Sequence, residues 1–396
     1  MKKNILICSH GLDIGGAERA LLSMLYNFDY GRFDVDLFLY HHDGIWMNQI
    51  PAQVNLLPEL PEYAALSVPM QQLIALKQYG VLAGRLVGKI AAAVYDKLHK
   101  TSDSAVAIEY SHKYTRRYMP PISPDKNYAL AISFLTPHYF VLDNVRADKK
   151  IAWIHTDYQA LDINIESERK MWESYDYIAS ISEACTKSFL TKFPKLKNKI
   201  ILIENTLSEQ LTVKQARQNI LNEMPKDGTI RLLSIGRFSY PKNFDQIPDI
   251  CRRIVEGGKD IKWYIIGYGD DTGIVEAIKY NNMGKHVIIL GRRDNPYPYI
   301  AACDVYVQPS RYEGKAVSVR EAQLLHKPVI ITNYPTSPSQ LIDGYDGFIV
   351  PLDNQKCAES IIALLDRPDQ LAFVAQNTYQ VDYTNKNELE KLYQII

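Results

Sequence analysis

The chain has 396 residues, 46% hydrophobic and 23% charged, a globular composition that argues against disorder, collagen-like repeats and an integral membrane protein. Its length exceeds what one hydrophobic core usually serves, so two domains are expected. Lys plus Arg and Asp plus Glu both number 45, and a net charge of zero gives no basic footprint for nucleic acid.

The N-terminus, MKKNILICSHG, starts basic like a secretory leader, but its apolar run stops at His10 and Gly11 and reads as a first strand. Short β-branched or aromatic runs then alternate with longer amphipathic segments, the pattern of βαβ units with a parallel sheet covered on both faces. Strands are predicted at 4–9, 33–40, 128–134, 151–155, 177–181 and 200–203. A second series follows at 230–235, 263–266, 287–290, 305–308, 329–332 and 348–350. Between the two lies a polar stretch ending in Pro225-Lys226-Asp227-Gly228, which punctuates like a linker. The reading is therefore α/β: an N-terminal Rossmann-like domain over 1–207, a linker over 208–228 and a second Rossmann-like domain over 229–380. A C-terminal helix over 381–396 is expected to pack back on the first domain. Two such domains facing each other make a cleft at the carboxyl ends of their strands, where ligands of open α/β sheets gather. The five cysteines (Cys8, Cys185, Cys251, Cys303, Cys357) form no CxxC pair, which points to reduced, buried thiols in a cytoplasmic protein rather than to disulfides or zinc.

The densest signal is Pro309-Ser310-Arg311-Tyr312-Glu313-Gly314-Lys315-Ala316-Val317-Ser318-Val319-Arg320-Glu321-Ala322, between a strand and a helix. With the helix starting near Val317, Glu313 stands in the loop and Glu321 about one turn in, so both carboxylates can face one ligand. A carboxylate accepts from a sugar diol, and the Gly314, Lys315 and Ala316 amides at a helix N-terminus suit a diphosphate. The blander reading is a capping Glu followed by an exposed helical Glu. Gly236-Arg237-Phe238-Ser239-Tyr240-Pro241-Lys242 puts two cations, Arg237 and Lys242, on one loop at a strand end, where they would stabilise a leaving diphosphate without a metal. Two solvated surface cations are the alternative. Gly11-Leu12-Asp13-Ile14-Gly15-Gly16-Ala17-Glu18-Arg19 is a glycine-rich turn into a helix that lacks the full G-x-G-x-x-G fingerprint, so NAD is not supported. His155, in Trp153-Ile154-His155-Thr156-Asp157-Tyr158, ends a strand and reads either as structural or as a hydrogen bonder to a donor sugar. Asn205 and Gly291-Arg292 also end strands and are weaker donor-binding candidates. Gly267-Tyr268-Gly269-Asp270-Asp271 reads as a glycine-rich loop rather than a metal site.

Together these residues resemble the family 4 retaining glycosyltransferases of the two-Rossmann-domain (GT-B) fold. The strongest part is the Glu-x7-Glu segment followed by Lys327-Pro328-Val329-Ile330-Ile331-Thr332 and Asp343-Gly344-Tyr345-Asp346-Gly347-Phe348-Ile349-Val350. The resemblance implies that Glu313 contacts the donor sugar, Glu321 holds the ribose, and Arg237 and Lys242 grip the diphosphate. It makes His155 the active-site histidine and places Gly15-Gly16 near the phosphates. It also implies retention of configuration, with no metal and no organic cofactor, the leaving phosphate acting as base. The Glu-Gly-Lys variant looks like bacterial surface-polysaccharide transferases and favours a UDP-hexose donor. The chain departs from the family at Asn205-Thr206 in place of Asn-Gly, at Gln340 in place of an acid, and at Lys315 to Val317 in place of Phe-Gly-Leu.

No acidic residue lies between Glu62 and Asp96, while Lys77, Arg85 and Lys89 punctuate an apolar helical pattern over 73–94, and His112, Lys113, Arg116 and Arg117 follow. This reads either as a core helix or as a basic amphipathic helix resting on anionic lipid. The expected partners are a nucleotide-sugar donor, a glycan or lipid-linked acceptor and the inner face of the plasma membrane, with no nucleic acid. Rival functions are a sugar-nucleotide 2-epimerase on the same architecture and a catalytically silent sugar-nucleotide binder. A nicotinamide oxidoreductase is disfavoured by the missing fingerprint.

Overall fold

A computed structural model describes residues 2–13, 15–100, 105–135, 138–313 and 316–396. The chain divides into one unit of residues 1–206 with 385–396 and a second of residues 207–384. In the first, β1 (Lys3–Ser9), β2 (Phe33–Leu39), β3 (Asn55–Leu56), β4 (Tyr128–Ser133), β5 (Ala147–Ile154), β6 (Tyr177–Ser180) and β7 (Ile200–Leu202) form a parallel sheet in the order β3-β2-β1-β4-β5-β6-β7. The second holds β8 (Ile230–Phe238), β9 (Ile261–Gly269), β10 (Val287–Gly291), β11 (Val305–Gln308), β12 (Val329–Thr332) and β13 (Phe348–Val350) in the order β10-β9-β8-β11-β12-β13. Both units are Rossmann-like α/β sheets in which the order reverses beside the first strand, between β1 and β4 and between β8 and β11.

Continuous apolar strands make such sheets because both faces are covered. Along β9, Trp263 and Ile265 join one core with Leu232 and Ile330, while Tyr264 and Ile266 point the other way into a second core with Leu233, Val329 and Ile331. β9 runs three residues past the apolar run Trp263 to Ile266, through Gly267 and Gly269. A Cβ at Gly267 would stand 2.0 Å from the Gly236 carbonyl oxygen on β8, so glycine alone lets these strands meet there. That turns the predicted glycine loop into strand, and Asp270 just beyond it accepts from the Thr272 amide and hydroxyl.

Several expectations change on folding. Residues 208–228 do not hang as a free connection: they carry the helix Glu209–Gln215 and bury Ile220 and Met224 in the second unit's core. β3 went unread because two residues leave no pattern to detect. The apolar stretch 73–94 is not one helix; it breaks at Lys77, which takes φ 56°, separating Gln72–Ala75 from the long helix Tyr79–His99. All five cysteines are free thiols, but Cys185 is only half-buried. The terminal helix Glu388–Tyr393 packs on the first unit, where Tyr393 stacks on Phe33 at 4.7 Å and accepts from the Asp29 amide, and Arg32 pairs with Glu390 at 3.1 Å. No helix among the described residues is long and apolar enough to cross a membrane.

Candidate functional site

The second unit assembles most of the singled-out residues at the carboxyl ends of β8 and β11. β8 ends in Gly236-Arg237-Phe238, a one-turn 3-10 helix Tyr240–Lys242 follows, and Asn243 turns the chain in the left-handed region at φ 61°. Asparagine tolerates that conformation, and the turn sends Lys242 back across the bare backbone of Gly236. Its Nζ donates to Glu313 Oε1 at 2.6 Å, with the two side chains 18% and 11% exposed. β11 ends in fully buried Gln308, whose Oε1 accepts from Tyr306 and whose Nε2 donates to Ser310 Oγ at 2.9 Å. Ser310 then donates to Glu313 Oε1 at 2.6 Å. Lys242 and Ser310 both donate to Glu313 Oε1, which leaves Oε2 without a partner among the described residues. A lysine has three donors, so Lys242 keeps two for a ligand.

Glu321 is 6% exposed on the helix Val317–Leu324 and accepts from Tyr297 Oη at 3.1 Å. The helix start is tied to the same strand ends, since Ser318 Oγ lies 3.4 Å from both the Ile235 carbonyl and Gln308 Oε1. Its N-terminal amides therefore open beside the β8 terminus, where the helix dipole favours an anion. Gln340, where the resemblance expects an acid, accepts from the Ala316 amide through Oε1 at 2.8 Å, so this amide, expected to face a diphosphate, is already engaged within the chain. Gly314 and Lys315 lie outside the described residues. Arg237 is exposed at the end of β8.

Arg292 is exposed after β10, paired with Asp294 at 3.5 Å, and β10 lies two strands, about 10 Å, from β8. In the first unit Asn205 is exposed beyond β7. Gly15 caps the helix Gly16–Asn27 with extended backbone, and the Glu18 carboxylate lies 2.0 Å from where its Cβ would be. That helix start is thus partly filled by the chain's own anion, which weakens the expected phosphate contact there.

His155 follows β5 with its ring 4.5 Å from Phe134. Burial pushes its imidazole down to about 4 against the pull of a hydrogen bond to the Phe134 backbone, so it is neutral near pH 7. Its Nε2 is buried without a partner among the described residues.

Sequence reasoning missed several neighbours. Arg311 clamps the lysine loop, donating to the Tyr240 carbonyl at 2.7 Å and to both Asp245 oxygens at 3.0 and 2.8 Å, and lying 4.2 Å over the Tyr240 ring. Its only signal was a cation at a strand end. His10, next after β1, stacks on Tyr40 and lies 5.9 Å from buried His112. Burial pushes His10 to about 4, with nearby His41 adding to it, and His112 to about 3. His10 Nε2, His112 Nδ1 and Ser9 Oγ are buried without partners among the described residues. The position of His10 at a strand's carboxyl end was readable; His112 stood out in the sequence only as part of a basic patch.

Residues 216–381 match the family model described as Glycosyl transferases group 1, a stretch that contains Arg237, Lys242, Arg292, Glu313, Glu321 and Gln340. The amylovoran biosynthesis glycosyltransferase AmsD of Erwinia amylovora is 26% identical over 193 residues, 47% of this chain and 51% of that protein. A UDP-Gal:alpha-D-GlcNAc-diphosphoundecaprenol alpha-1,3-galactosyltransferase of Escherichia coli is 28% identical over 127 residues, 30% of this chain and 32% of its own. The matched stretch thus spans about half or less of these two relatives. Among solved structures, an S. aureus TarM variant in complex with Fondaparinux, alpha-GlcNAc-glycerol and UDP shares the fold with a TM-score of 0.61 at 14% identity, covering 99% of both chains.

Proposed function

We propose that this protein is a retaining glycosyltransferase that moves a hexose from a UDP-sugar to a polysaccharide or lipid-linked oligosaccharide acceptor in cell-surface glycan synthesis. The observation that carries this reading is the Lys242–Glu313 pair beside the N-terminus of the helix bearing Glu321. Cations and amides for a diphosphate stand there within reach of carboxylates for sugar hydroxyls. The family match over the same residues supports it, as do relatives named for polysaccharide and undecaprenol-linked glycan synthesis.

In this mechanism Arg237, the free donors of Lys242 and the helix amides hold the diphosphate. Glu313 Oε2 accepts from a donor-sugar hydroxyl, and Glu321 holds the ribose. His155, kept neutral by burial, offers Nε2 to a sugar hydroxyl. The bond from C1 to the diphosphate oxygen breaks, the acceptor oxygen bonds C1 on the same face, and its proton passes to the leaving phosphate. The developing negative charge meets fixed cations, so neither a metal nor a protein nucleophile is required. A screen of nucleotide sugars for thermal stabilisation and hydrolysis tests the reading. Expected is a UDP-hexose hit, turnover unaffected by chelator, and a product of the donor's anomeric configuration by NMR. A new nucleotide sugar formed without acceptor would favour the epimerase. UDP binding with no turnover of any acceptor would favour a silent binder, and no hit at all overturns the proposal.

A further inference from the structure

The helix Tyr79–His99 has two faces, and both are apolar. One buries Val81, Gly84, Gly88 and Ala92. A Cβ at Gly84 would stand 2.6 Å from Thr115 Cα and one at Gly88 2.8 Å from Ser111 Cα, so the helix Val106–Thr115 packs straight onto bare backbone. That contact holds the long helix rigidly and accounts for its small residues. The opposite face presents Leu86, Val87, Ile90, Val94 and Leu98 to solvent, at 49%, 41%, 57%, 53% and 73% exposure. Leu86, Ile90, Val94 and Leu98 recur every fourth residue, so they form one stripe. Exposed Ile108 on the partner helix, and Ile74, Leu76 and Tyr79 at the break before it, extend the apolar surface.

The exposed charged side chains on this helix are basic, and the acids that act on its Tyr95 are half-buried Asp96, buried Glu109 and exposed Asp162. Lys77, Lys89, Lys97 and Lys100 are exposed, and no acidic residue occurs between Glu62 and Asp96, which is itself half-buried. His112 and Lys113, read from sequence as part of this basic patch, do not belong to it: His112 is buried, and Lys113 donates to Ser167 Oγ at 2.5 Å.

We infer that this stripe docks the protein on an anionic lipid surface, the helix lying in the plane of the interface. Apolar side chains enter the boundary between headgroups and acyl chains, while the lysines meet lipid phosphates. A second copy of the chain fits less well, because a two-fold contact would set the lysines that flank the stripe against each other. The inference deepens the proposed transfer to a lipid-linked acceptor, yet it is read without donor or acceptor, so the two can fail separately.

Flotation of the full chain with phosphatidylglycerol and with phosphatidylcholine vesicles tests it. Binding is expected to the anionic vesicles alone and to weaken with salt. Leu86→Asp with Ile90→Asp should reduce it at least about tenfold, and Lys89→Glu with Lys97→Glu should do the same, with nucleotide-sugar hydrolysis and melting temperature unchanged in both. Wild-type protein that does not float, or double variants that float as well as the wild type, overturn the inference. So does light scattering that shows a dimer abolished by Leu86→Asp with Ile90→Asp, since the face would then be a self-association surface.

Discussion

Replacing Lys242 by alanine separates its structural part from its chemical one. Structurally, Glu313 Oε1 is left with Ser310, and one partner of a pair 18% and 11% exposed is lost. Breaking a fully buried pair costs about 3–5 kcal/mol, so about 2 kcal/mol is expected for this more open one. In a unit of this size that lowers the melting temperature by roughly 4–8 °C. Chemically, a cation about 3.5 Å from a departing phosphate oxygen contributes about 5 kcal/mol at an effective dielectric of about 20. Glu313 offsets part of this, and a remainder of about 3 kcal/mol corresponds to a fall in kcat on the order of a hundredfold. KM should rise by less than about tenfold, because the charge on the leaving group grows as the bond breaks. Initial rates of UDP release, with thermal melts beside them, read both parts. Glu313→Gln is the control for the thermal melts alone, since it removes the same ion pair while keeping the cation but also alters the proposed sugar contact. A kcat within about threefold of wild type, or a loss that falls wholly on KM, would refute the role given to Lys242.

Glu321→Ala should raise the Kd for UDP by about 10–100-fold in calorimetry, with Glu321→Gln losing less because it keeps one acceptor; equal affinities would remove the ribose role. Burial pushes the Glu168 carboxyl up to about 7, with the Trp172 and Tyr158 bonds offsetting only part of it. The folded chain keeps that proton where the unfolded one releases it near 4.5, so this stabilisation is full at low pH and is lost as pH rises through about 7. The gain in melting temperature from Glu168→Gln should therefore be larger at pH 8 than at pH 5, and the opposite order would show the sign to be wrong. Gly84→Leu drives a side chain into the Thr115 backbone and should destabilise the first unit by roughly 1–3 kcal/mol in urea; no change in midpoint would mean the helix pair separates freely.

Strand positions were legible because parallel strands buried on both faces leave continuous apolar runs, as in Ile5 to Ile7 or Val329 to Ile331, all fully buried. The helix start near Val317 was legible too, and with it the placing of Glu313 in a loop and Glu321 on a helix. What escaped was whatever depends on pairs distant in sequence. Glu313 and Lys242 were each singled out, but nothing local says that one holds the other across 71 residues. Arg311 and Asp245 form their clamp in the same way, and the break at Lys77 hides in a stretch whose apolar period continues across it.

The two units share one strand order but hold opposite chemistry at the carboxyl ends of their sheets. In the second, the β8 and β11 termini gather Arg237, Lys242 and a helix N-terminus, all of which favour an anion. In the first, His10 follows β1 with His112 beside it and His155 follows β5, and burial keeps all three imidazoles uncharged near pH 7. A neutral imidazole can both donate to and accept from a hydroxyl but holds a phosphate poorly, and Glu18 already takes part of the nearby helix start. Topology supplies the place in each unit, while the side chains decide the ligand. In the proposed transfer the diphosphate is therefore assigned to the second unit and the neutral, hydroxyl-rich groups to the first.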